Sequence, residues 1–349
     1  MSMNGRVSDA SGDSVGPRIT VGVKALNEER HIAAALTSAL AAVEPFGGEV
    51  VLADSGSTDR TLDIAAGFPV RVVQLANTAE RCCGAGAQLA FQHAQGDYFY
   101  LLDGDMVLDP DFLRAGVAFL DQNPRVAAVG GRVREMNTEA HEFQIRATTV
   151  ARDRNWLPGV VDRLDCGGLY RTEAVRQVGW FADRNLHAFE EFELAARLRA
   201  RGWTLARIDH PAVDHYGHQM DGYRLLWKRL KSGYSGAPGE VLRGALARAH
   251  MPIVLKRLSH VRVGLVVGGW WLLLLACLVT GRWLVLLGLL IAPLAFLTFR
   301  RRSLRLGLYS LTAWNVSALG LVLGLLRPRV APERPLAARD MTQTGTTTV

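Results

Sequence analysis

Short apolar runs of strand length alternate with segments of helical periodicity in the first half of the chain, and this alternation restricts the fold more than any other feature. Apolar residues recur at helical spacing from Ile32 to Leu40, and a further helix is expected over 82–95. The expected strands are Ile19–Val23, Glu49–Ala53, Val70–Leu75, Tyr98–Leu102 and Val126–Arg134. Strands and helices in this order predict an α/β fold whose mostly parallel sheet carries helices on both faces.

The fourth expected strand ends on two carboxylates that are separated by one glycine, in the segment Asp103-Gly104-Asp105. Two acids at the end of a buried strand repel each other and lose hydration, so a positive group is expected beside them. A divalent cation with oxygen ligands is the simplest candidate, and such an ion commonly bridges to substrate phosphates. A tight turn with solvated acids is the alternative.

Two further polar clusters also follow expected strands. Asn27-Glu28 follows the first strand and the run Asp54 to Asp59 follows the second. Because ligands bind outside the carboxyl ends of strands in such sheets, all three clusters should gather along one edge. Helix capping and turn formation are the alternatives for Asp54 and Asp59, and Ser57 is expected to cap a helix that begins near Thr58.

Together these three clusters resemble the family 2 glycosyltransferases, which have a Rossmann-like fold called GT-A. The similarity covers roughly residues 18 to 230, and its second cluster often reads D-D-G-S-x-D, where this chain has Ser55 in place of the second acid. The resemblance implies a mixed sheet that binds a nucleotide-sugar donor and a divalent metal, Mg²⁺ or Mn²⁺.

The resemblance also implies roles for individual residues. Asp54 would contact the nucleotide base, Asp103 would lie near the ribose, and Asp105 would bind the metal that bridges the diphosphate. The residues expected to bind the nucleotide sugar are Asn27, Glu28, Asp54, Arg81, Asp103, Gly104, Gly167 and Gly168. The expected metal ligands are Asp105, Asp103 and His218.

Two later segments extend the resemblance. The segment Asp165 to Arg171 is similar to the family's glycine-containing segment beside the donor sugar, where Gly167 and Gly168 would let the backbone approach a ligand closely. A tight turn is the alternative. The segment Phe189-Glu190-Glu191 resembles the family's E-D motif and implies that Glu191 is the catalytic base. An acidic first helical turn is the alternative for Glu190, Glu191 and Glu193, because the helix dipole favours acids there.

The sequence leaves more than one role open for several cationic residues. His215 and His218 follow a probable last strand, and either could bind the metal or the diphosphate or be structural. Arg81, Arg224 and Arg229 are plausible phosphate partners, because a guanidinium group matches phosphate geometry. A basic helix on a membrane surface explains Arg224 and Arg229 equally well.

The charge distribution favours a lipid surface over nucleic acid as a partner. The 349-residue chain has a formal net charge of +7, and much of the excess arginine lies after residue 220 beside apolar runs. The four cysteines have no spacing typical of a disulfide framework or a zinc site. Residues 1–17 are polar and lack the apolar core of a signal peptide, so a disordered leader is expected.

Three apolar runs in the last third of the chain predict membrane helices: Val263–Thr280, Trp283–Phe299 and Leu306–Leu326. The basic residues after the second run predict a cytoplasmic connection: Arg300, Arg301, Arg302 and Arg305. Lys256, Arg257 and Arg262 place the catalytic domain on that same side. If the third run also spans, the arginine-containing tail lies outside, against the charge rule, so this run could instead lie at the interface or re-enter.

These predictions divide the chain into a disordered leader, a GT-A domain, interfacial amphipathic helices, two or three membrane helices and a disordered tail. The corresponding boundaries are 1–17, 18–222, 223–260, 261–327 and 328–349. The expected protein is a metal-dependent, inverting glycosyltransferase of the plasma (inner) membrane, with a lipid-linked or glycan acceptor and no nucleic-acid partner. The alternatives are a polyprenyl-phosphate sugar synthase, a processive polysaccharide synthase and a catalytically inactive membrane scaffold.

Overall fold

The computed structural model describes residues 19–136, 153–216 and 222–342 of the chain. The predicted leader, residues 1–17, lies outside the described residues, and so does His218. The expectations that concern them stay predictions.

One mixed sheet organises residues 19–216 of the described chain, which include the predicted site residues and are called the catalytic half below. Its strands are β1 (Ile19–Ala25), β2 (Glu49–Asp54), β3 (Arg71–Leu75), β4 (Tyr98–Asp103), β5 (Met106–Leu108), β6 (Val126–Glu135), β7 (Gly159–Val161), β8 (Gly168–Arg171), β9 (Thr204–His215) and β10 (Ala338–Asp340). The order is β10-β3-β2-β1-β4-β8-β6-β9-β5, and β7 pairs with β9. The neighbours β1 to β4 are parallel, as the sequence predicts, and the carboxyl ends of β1, β2 and β4 therefore lie at one edge.

Helices cover both faces of this sheet, and the predicted fold class is confirmed. They are α1 (Ile32–Val43), α2 (Thr61–Ala65), α3 (Cys83–Gln92), α4 (Phe112–Gln122), α5 (Thr172–Gln177) and α6 (Glu190–Ala200). Apolar residues of α1, α2 and α4 form one core with one face of the sheet. Apolar residues of α3, α5 and α6 form a second core with the other face.

The predicted capping role of Ser57 is wrong. Helix α2 begins at Thr61, and the side chain that accepts its first N–H, that of Thr61 at 3.0 Å, belongs to Asp59. The Ser57 hydroxyl instead donates to the carboxylate of Asp54 and accepts the backbone N–H of Asn27 at 2.9 Å. These bonds use Ser57 to join the loops after β1 and β2.

Within the described residues, six α-helices follow the catalytic half. They are α7 (Gly222–Lys231), α8 (Ala237–Ala245), α9 (Met251–Arg257), α10 (Ser259–Val279), α11 (Trp283–Arg301) and α12 (Leu304–Leu326). The last three are long and apolar enough to cross a membrane. Tyr223 and Trp227 of α7 are exposed beside basic residues, as expected of an interfacial helix. Helix α8 is mostly buried instead.

Helices α10 and α11 form a hairpin that turns at Gly281. Pro293 has no N–H group, so the carbonyl of Leu289 lacks its usual donor one turn later in α11. The indole N–H of Trp270 donates to this carbonyl at 2.9 Å. The bond satisfies a backbone group that would otherwise be unpaired in an apolar environment.

Helix α12 crosses the open end of this hairpin. Near the start of α12, Tyr309 packs edge-on against Tyr223 of α7, with ring centroids 5.1 Å apart. Near its end, Leu321 packs on Gly264 in the first turns of α10. A helix of 23 residues is about 35 Å long, which is enough to span a bilayer. Both ends of α12 nevertheless contact elements that adjoin the catalytic half.

The chain after α12 returns to the sheet, which corrects the expectation of a disordered tail from residue 328. Strand β10 pairs antiparallel with β3, and the side chain of Leu336 is buried in the core beside α3. The side-chain amide of Gln92 accepts the backbone N–H of Leu336 at 2.8 Å and donates to the carbonyl of Leu336 at 3.0 Å. Arg329 pairs with Asp183. The polar composition of the tail suggested disorder. Composition does not reveal the distant partners that order this segment.

Candidate active site

The register of the sheet brings the polar clusters together at the predicted edge. Lys24 of β1 lies opposite Asp103 of β4, and Ala25 lies opposite Asp54 of β2. The N–H of Gly104 donates to the carbonyl of Lys24 at 3.0 Å. The acids at the ends of β2 and β4 are therefore held on either side of β1.

Asp54 is buried and supports the loop that follows β2. Its carboxylate accepts the N–H groups of Gly56 and Ser57, at 2.9 and 3.0 Å, and the amide of Gln74 at 2.9 Å. A direct contact between Asp54 and a nucleotide base would have to replace one of these bonds. The turn role that the sequence left open for Asp54 is thus present in the structure.

Asn27 fixes the neighbouring loop. Its backbone is left-handed, with φ of 58°, which Asn tolerates better than most residues. Its side-chain oxygen accepts the N–H of Thr58 at 2.8 Å. The N–H groups of Glu28 and Glu29 donate to Thr61 and Asp59, respectively. The two loops that the sequence assigns to the nucleotide pocket therefore form one bonded unit.

A buried ion network lies at the centre of the edge. Lys24 Nζ is 3.2 Å from Asp103 Oδ1 and 2.8 Å from Glu190 Oε1. Burial opposes the charge on Lys24, but Asp103 and then Glu190 outweigh it and raise the Lys24 pKa. Burial raises the pKa of Asp103, and Lys24 opposes this shift. Lys24 is a site residue that sequence reasoning missed, although a lysine within a buried strand was an available signal.

The three acids in the first turn of α6 have different surroundings. Glu190 pairs with Lys24, and Glu193 forms a buried pair with Arg197 at 2.7 Å. Among the described residues, the carboxylate of Glu191 has no hydrogen bond or ion pair, and Glu191 lines the cavity described below. Burial and then Glu190 raise the pKa of Glu191 well above its usual value. Glu191 is therefore the acid of this turn that is available to take up a proton.

A second cluster surrounds Asp105. Pairing of β5 with β9 and of β6 with β9 brings His215 beside Met106 and Glu135. His215 Nε2 is 3.6 Å from Asp105 Oδ2, and His215 Nδ1 is 2.8 Å from Glu135 Oε2. Burial opposes the charge on His215, but the bonds to Asp105 and Glu135 raise its pKa to about 9.

This cluster fits a divalent cation. Ligand atoms of Glu135, Cys166 and His215 lie within 4.8 Å of one another. Burial and then Asp105 and Asp103 raise the Glu28 pKa to about 7, which shows that negative charge accumulates here. The carboxylate oxygens of Asp105 and Glu135, with the imidazole of His215, are a donor set that Mg²⁺ or Mn²⁺ accepts, whereas the thiol of Cys166 is a softer donor that these ions do not favour. The structure thus brings His215 to Asp105, whereas His218 lies outside the described residues.

The predicted glycines lie where a side chain would collide. A Cβ atom at Gly104 would be 2.9 Å from Cγ of Glu28. Gly167 has φ of +88°, and a Cβ there would be 2.8 Å from the hydroxyl of Tyr100. Gly168 begins β8 and packs on Leu164. The segment from Asp165 to Arg171 therefore contains the turn that was the alternative to ligand binding. The same segment also brings backbone next to the cavity at Cys166.

Two of the predicted arginines lie away from the cavity that is described below, and their roles as phosphate partners stay predictions. Arg81 is exposed on the loop before α3, and Arg224 is exposed on α7; neither is among the described residues that line the cavity. Arg229, from the same helix, does line it. The site residues that sequence reasoning missed include Glu135 and Arg163, because neither belongs to a recognisable motif.

A cavity of about 890 Å³ joins these groups to the apolar helices. Lys24, Asp103, Glu191 and His215 line it on the catalytic side. Leu306, Tyr309, Ser310, Ala313 and Trp314 of α12 line it on the other side. The cavity can therefore hold a polar reacting group at one end and an apolar chain at the other.

Comparison with known proteins gives a consistent result. Residues 20–179 match the family model described as Glycosyl transferase family 2. Glucomannan 4-beta-mannosyltransferase 7 of Arabidopsis thaliana is 30% identical over 131 residues, which are 33% of this chain and 22% of that protein. The putative glycosyltransferase EpsE of Bacillus subtilis is 33% identical over 119 residues, which are 33% of this chain and 42% of that protein. The matches thus span less than half the length of either relative.

A solved structure supports the fold. The mannosyltransferase PcManGT from Pyrobaculum calidifontis, in complex with GDP-Man and Mn²⁺, has a TM-score of 0.55 and is 21% identical, with 88% of each chain covered. At this level of identity the likeness concerns the fold alone, and it confirms the predicted GT-A-like architecture.

Proposed function

We propose that the chain transfers a sugar from a nucleotide-sugar donor to a hydroxyl group of a lipid-linked or glycan acceptor, because residues 20–179 match the family model described as Glycosyl transferase family 2. One observation carries this proposal: Lys24, Asp103 and Glu191 line a single cavity at the carboxyl edge of the parallel strands. Ligands of open α/β sheets bind at this edge.

Glu191 acts as the general base. The acceptor oxygen forms a bond to the anomeric carbon of the sugar, and Glu191 takes the proton of the acceptor hydroxyl. The bond between the anomeric carbon and the diphosphate breaks, and its electron pair leaves with the diphosphate. Attack on the side opposite the leaving group inverts the anomeric configuration. The raised pKa of Glu191 supports this role, because it makes the carboxylate a stronger base.

The donor lies against the bonded loops of β1 and β2. The residues that line its nucleotide and sugar are Asn27, Glu28, Asp54, Asp103, Gly104, Gly167 and Gly168. Asp54 acts mainly by holding its loop, since its carboxylate is already bonded. Lys24 keeps Asp103 and Glu190 paired, and this pairing limits the repulsion that two buried acids would otherwise exert on a donor diphosphate.

Asp105, His215 and Glu135 would hold the divalent metal, Mg²⁺ or Mn²⁺. When bound, such an ion stabilises the negative charge that develops on the departing diphosphate. Asp103 lies at the same edge of the sheet and is paired with Lys24. It contributes negative charge to the site. Glu28 adds a further acid to the cluster.

The protein is anchored by α10 and α11, which cross the membrane as a hairpin. Helix α12 lies along the membrane surface on the catalytic side, because its two ends contact α7 and the start of α10. Arg300, Arg301 and Arg302 favour a cytoplasmic position for the open end of the hairpin in the plasma membrane. The catalytic domain then faces the compartment that contains nucleotide sugars.

A donor screen tests the function. Detergent-purified chain is incubated with Mn²⁺ or Mg²⁺ and a panel of nucleotide sugars, and donor hydrolysis and thermal shift are measured. GDP-mannose heads the panel, because two of the similar proteins are named mannosyltransferases. A metal-dependent response that is lost in Asp105→Ala supports the proposal. Folded chain that responds to no donor contradicts it.

A further inference from the structure

The acids that line the cavity and three of its arginines come from different parts of the chain. Its acids, Asp103, Asp153, Asp165, Glu190 and Glu191, belong to the catalytic half of the chain. Three of its arginines instead come from the helices that follow: Arg229 from α7, Arg257 from α9 and Arg301 from α11. The catalytic side of the cavity therefore combines five acids with Lys24, Arg163 and His215. The described lining residues of the following helices include these three arginines and no acid, and they form its basic side.

The arginines of the basic side keep hydrogen-bond donors that internal ion pairs do not occupy. Among the described residues, no carboxylate pairs with Arg229 or Arg301. The guanidinium group of Arg229 lies 5.0 Å from the ring centre of Tyr234. Arg257 pairs with Asp162 at 3.1 Å, but a guanidinium group has five N–H donors and retains several for another anion. Three arginines from three helices thus face a common space.

Beyond the arginines the cavity becomes apolar. Leu258 lies at the start of the hairpin, and Leu306, Ala313 and Trp314 lie along α12. The last three of these side chains belong to a helix that is apolar enough to enter a bilayer. A ligand that fills the whole cavity would need a reacting oxygen at Glu191, an anionic group at the arginines and a hydrocarbon chain along α12.

We propose that the acceptor is an anionic membrane lipid whose phosphate group is bound by Arg229, Arg257 and Arg301. This inference rests on the proposed glycosyltransferase function and names the class of acceptor. A guanidinium group forms strong, two-point hydrogen bonds with phosphate oxygens, and several such groups on separate helices fix its position. The lipid chain leaves the cavity along α12, which lies at the membrane surface. The reacting oxygen of the lipid is thereby brought to Glu191.

The phosphate of a donor nucleotide has the same chemistry, so the test must separate the two sources. Arg229→Gln and Arg301→Gln remove one cation each from the cavity. Lys228→Gln and Arg300→Gln are matched controls, because each removes the adjacent cation from the same helix, and neither lies among the described residues that line the cavity. Equal thermal midpoints establish that all four variants are folded.

Two binding measurements are made on the full chain in detergent. The first titrates polyprenyl phosphate and, separately, the uncharged polyprenol, with inorganic phosphate as a competitor. The second titrates UDP or GDP with Mn²⁺. We expect Arg229→Gln and Arg301→Gln each to weaken polyprenyl-phosphate binding about ten-fold, the loss for one charge-assisted contact. The control variants should bind as the unaltered chain does, and nucleotide affinity should be unchanged in all.

Several results would overturn the inference. Equal binding of polyprenol would show that the phosphate is not recognised. Displacement by inorganic phosphate at concentrations similar to those of the lipid would show that the hydrocarbon chain of the lipid contributes nothing to binding. A loss of nucleotide affinity in Arg229→Gln or Arg301→Gln would assign these arginines to the donor. The lipid measurement requires no donor, so it stands apart from the donor screen that tests the proposed function.

Discussion

Lys24 and Glu190 are 166 residues apart in the chain, and their charged groups lie 2.8 Å from each other. This pair, with Asp103 on the other side of Lys24, occupies the edge of the sheet between the two acidic clusters. It also separates the roles of the adjacent acids on α6, because Glu190 is neutralised by Lys24 while Glu191 is not paired within the described chain. The first prediction follows from that difference.

Replacing Glu191 with Gln should lower the rate of sugar transfer to a hydroxyl acceptor by roughly 10²- to 10⁴-fold, the usual contribution of a general base. The amide keeps the shape of the side chain but does not accept the proton. Transfer is measured with the donor identified by the screen, and nucleotide affinity serves as the control. A mild loss would favour the polyprenyl-phosphate sugar synthase, because its phosphate acceptor is already anionic and needs little help from a base.

The pH dependence of the same reaction should reflect the environment of Glu191. Burial and then Glu190 raise its pKa, and a general base works in its ionised form. Activity should therefore be present above the raised pKa and decline as the pH falls through it, at a higher pH than an ordinary carboxylate would give. The measurement is kcat/KM against pH. A decline confined to the usual carboxylate range would contradict the prediction.

Replacing Lys24 with Met should destabilise the catalytic domain by about 3–5 kcal/mol, because it leaves Asp103 and Glu190 buried without their shared cation. Thermal or urea unfolding in detergent measures the loss. The double variant Lys24→Met with Glu190→Gln should recover part of it, since one of the two uncompensated charges is then absent. If the single variant unfolds at the same midpoint as the unaltered chain, the ion network contributes little stability.

The sequence was informative wherever a local pattern decides the structure. The apolar runs before Asp54 and Asp103 predicted β2 and β4, and parallel pairing then required their acids to meet at one edge. The helix that carries Glu191 was likewise found near its predicted position. Each of these inferences depends on neighbouring residues and on the geometry of one sheet.

What the sequence did not reveal depends on distant partners. The Ser57 hydroxyl bonds to Asp54 and to Asn27, which is 30 residues away, and these partners determine its role. The meeting of His215 with Glu135 depends on strand register, which no motif specifies. The tail has a polar composition, yet Leu336 is buried and bonded to Gln92, 244 residues away. Such contacts are invisible to composition and periodicity.

Cysteine labelling tests the proposed arrangement of the three apolar helices. If α10 and α11 span and α12 does not, then Arg282→Cys should react with a membrane-impermeant maleimide from the outside of intact cells. Thr342→Cys and Arg302→Cys should react after the membrane is opened. The unaltered chain provides the background from the native cysteines. Labelling of Thr342→Cys from outside would show that α12 spans and would contradict the proposed arrangement.

The packing of α12 against the catalytic side depends on small residues. A Cβ atom at Gly324 would lie 1.9 Å from the carbonyl oxygen of Gly236, and one at Gly239 would lie 2.1 Å from that of Leu321. Gly324→Ala and Gly239→Ala should each lower stability by about 1–3 kcal/mol, because backbone must move to admit the methyl group.

Gly288 in the membrane hairpin is the matched control for these two variants. A Cβ atom there meets nothing within 4 Å, so Gly288→Ala removes a helical glycine without creating a collision. It should leave the thermal midpoint unchanged or slightly higher, since alanine favours the helix by about 1 kcal/mol. If Gly324→Ala behaves like Gly288→Ala, helix α12 does not pack closely on the catalytic side, and the cavity would lack its apolar wall.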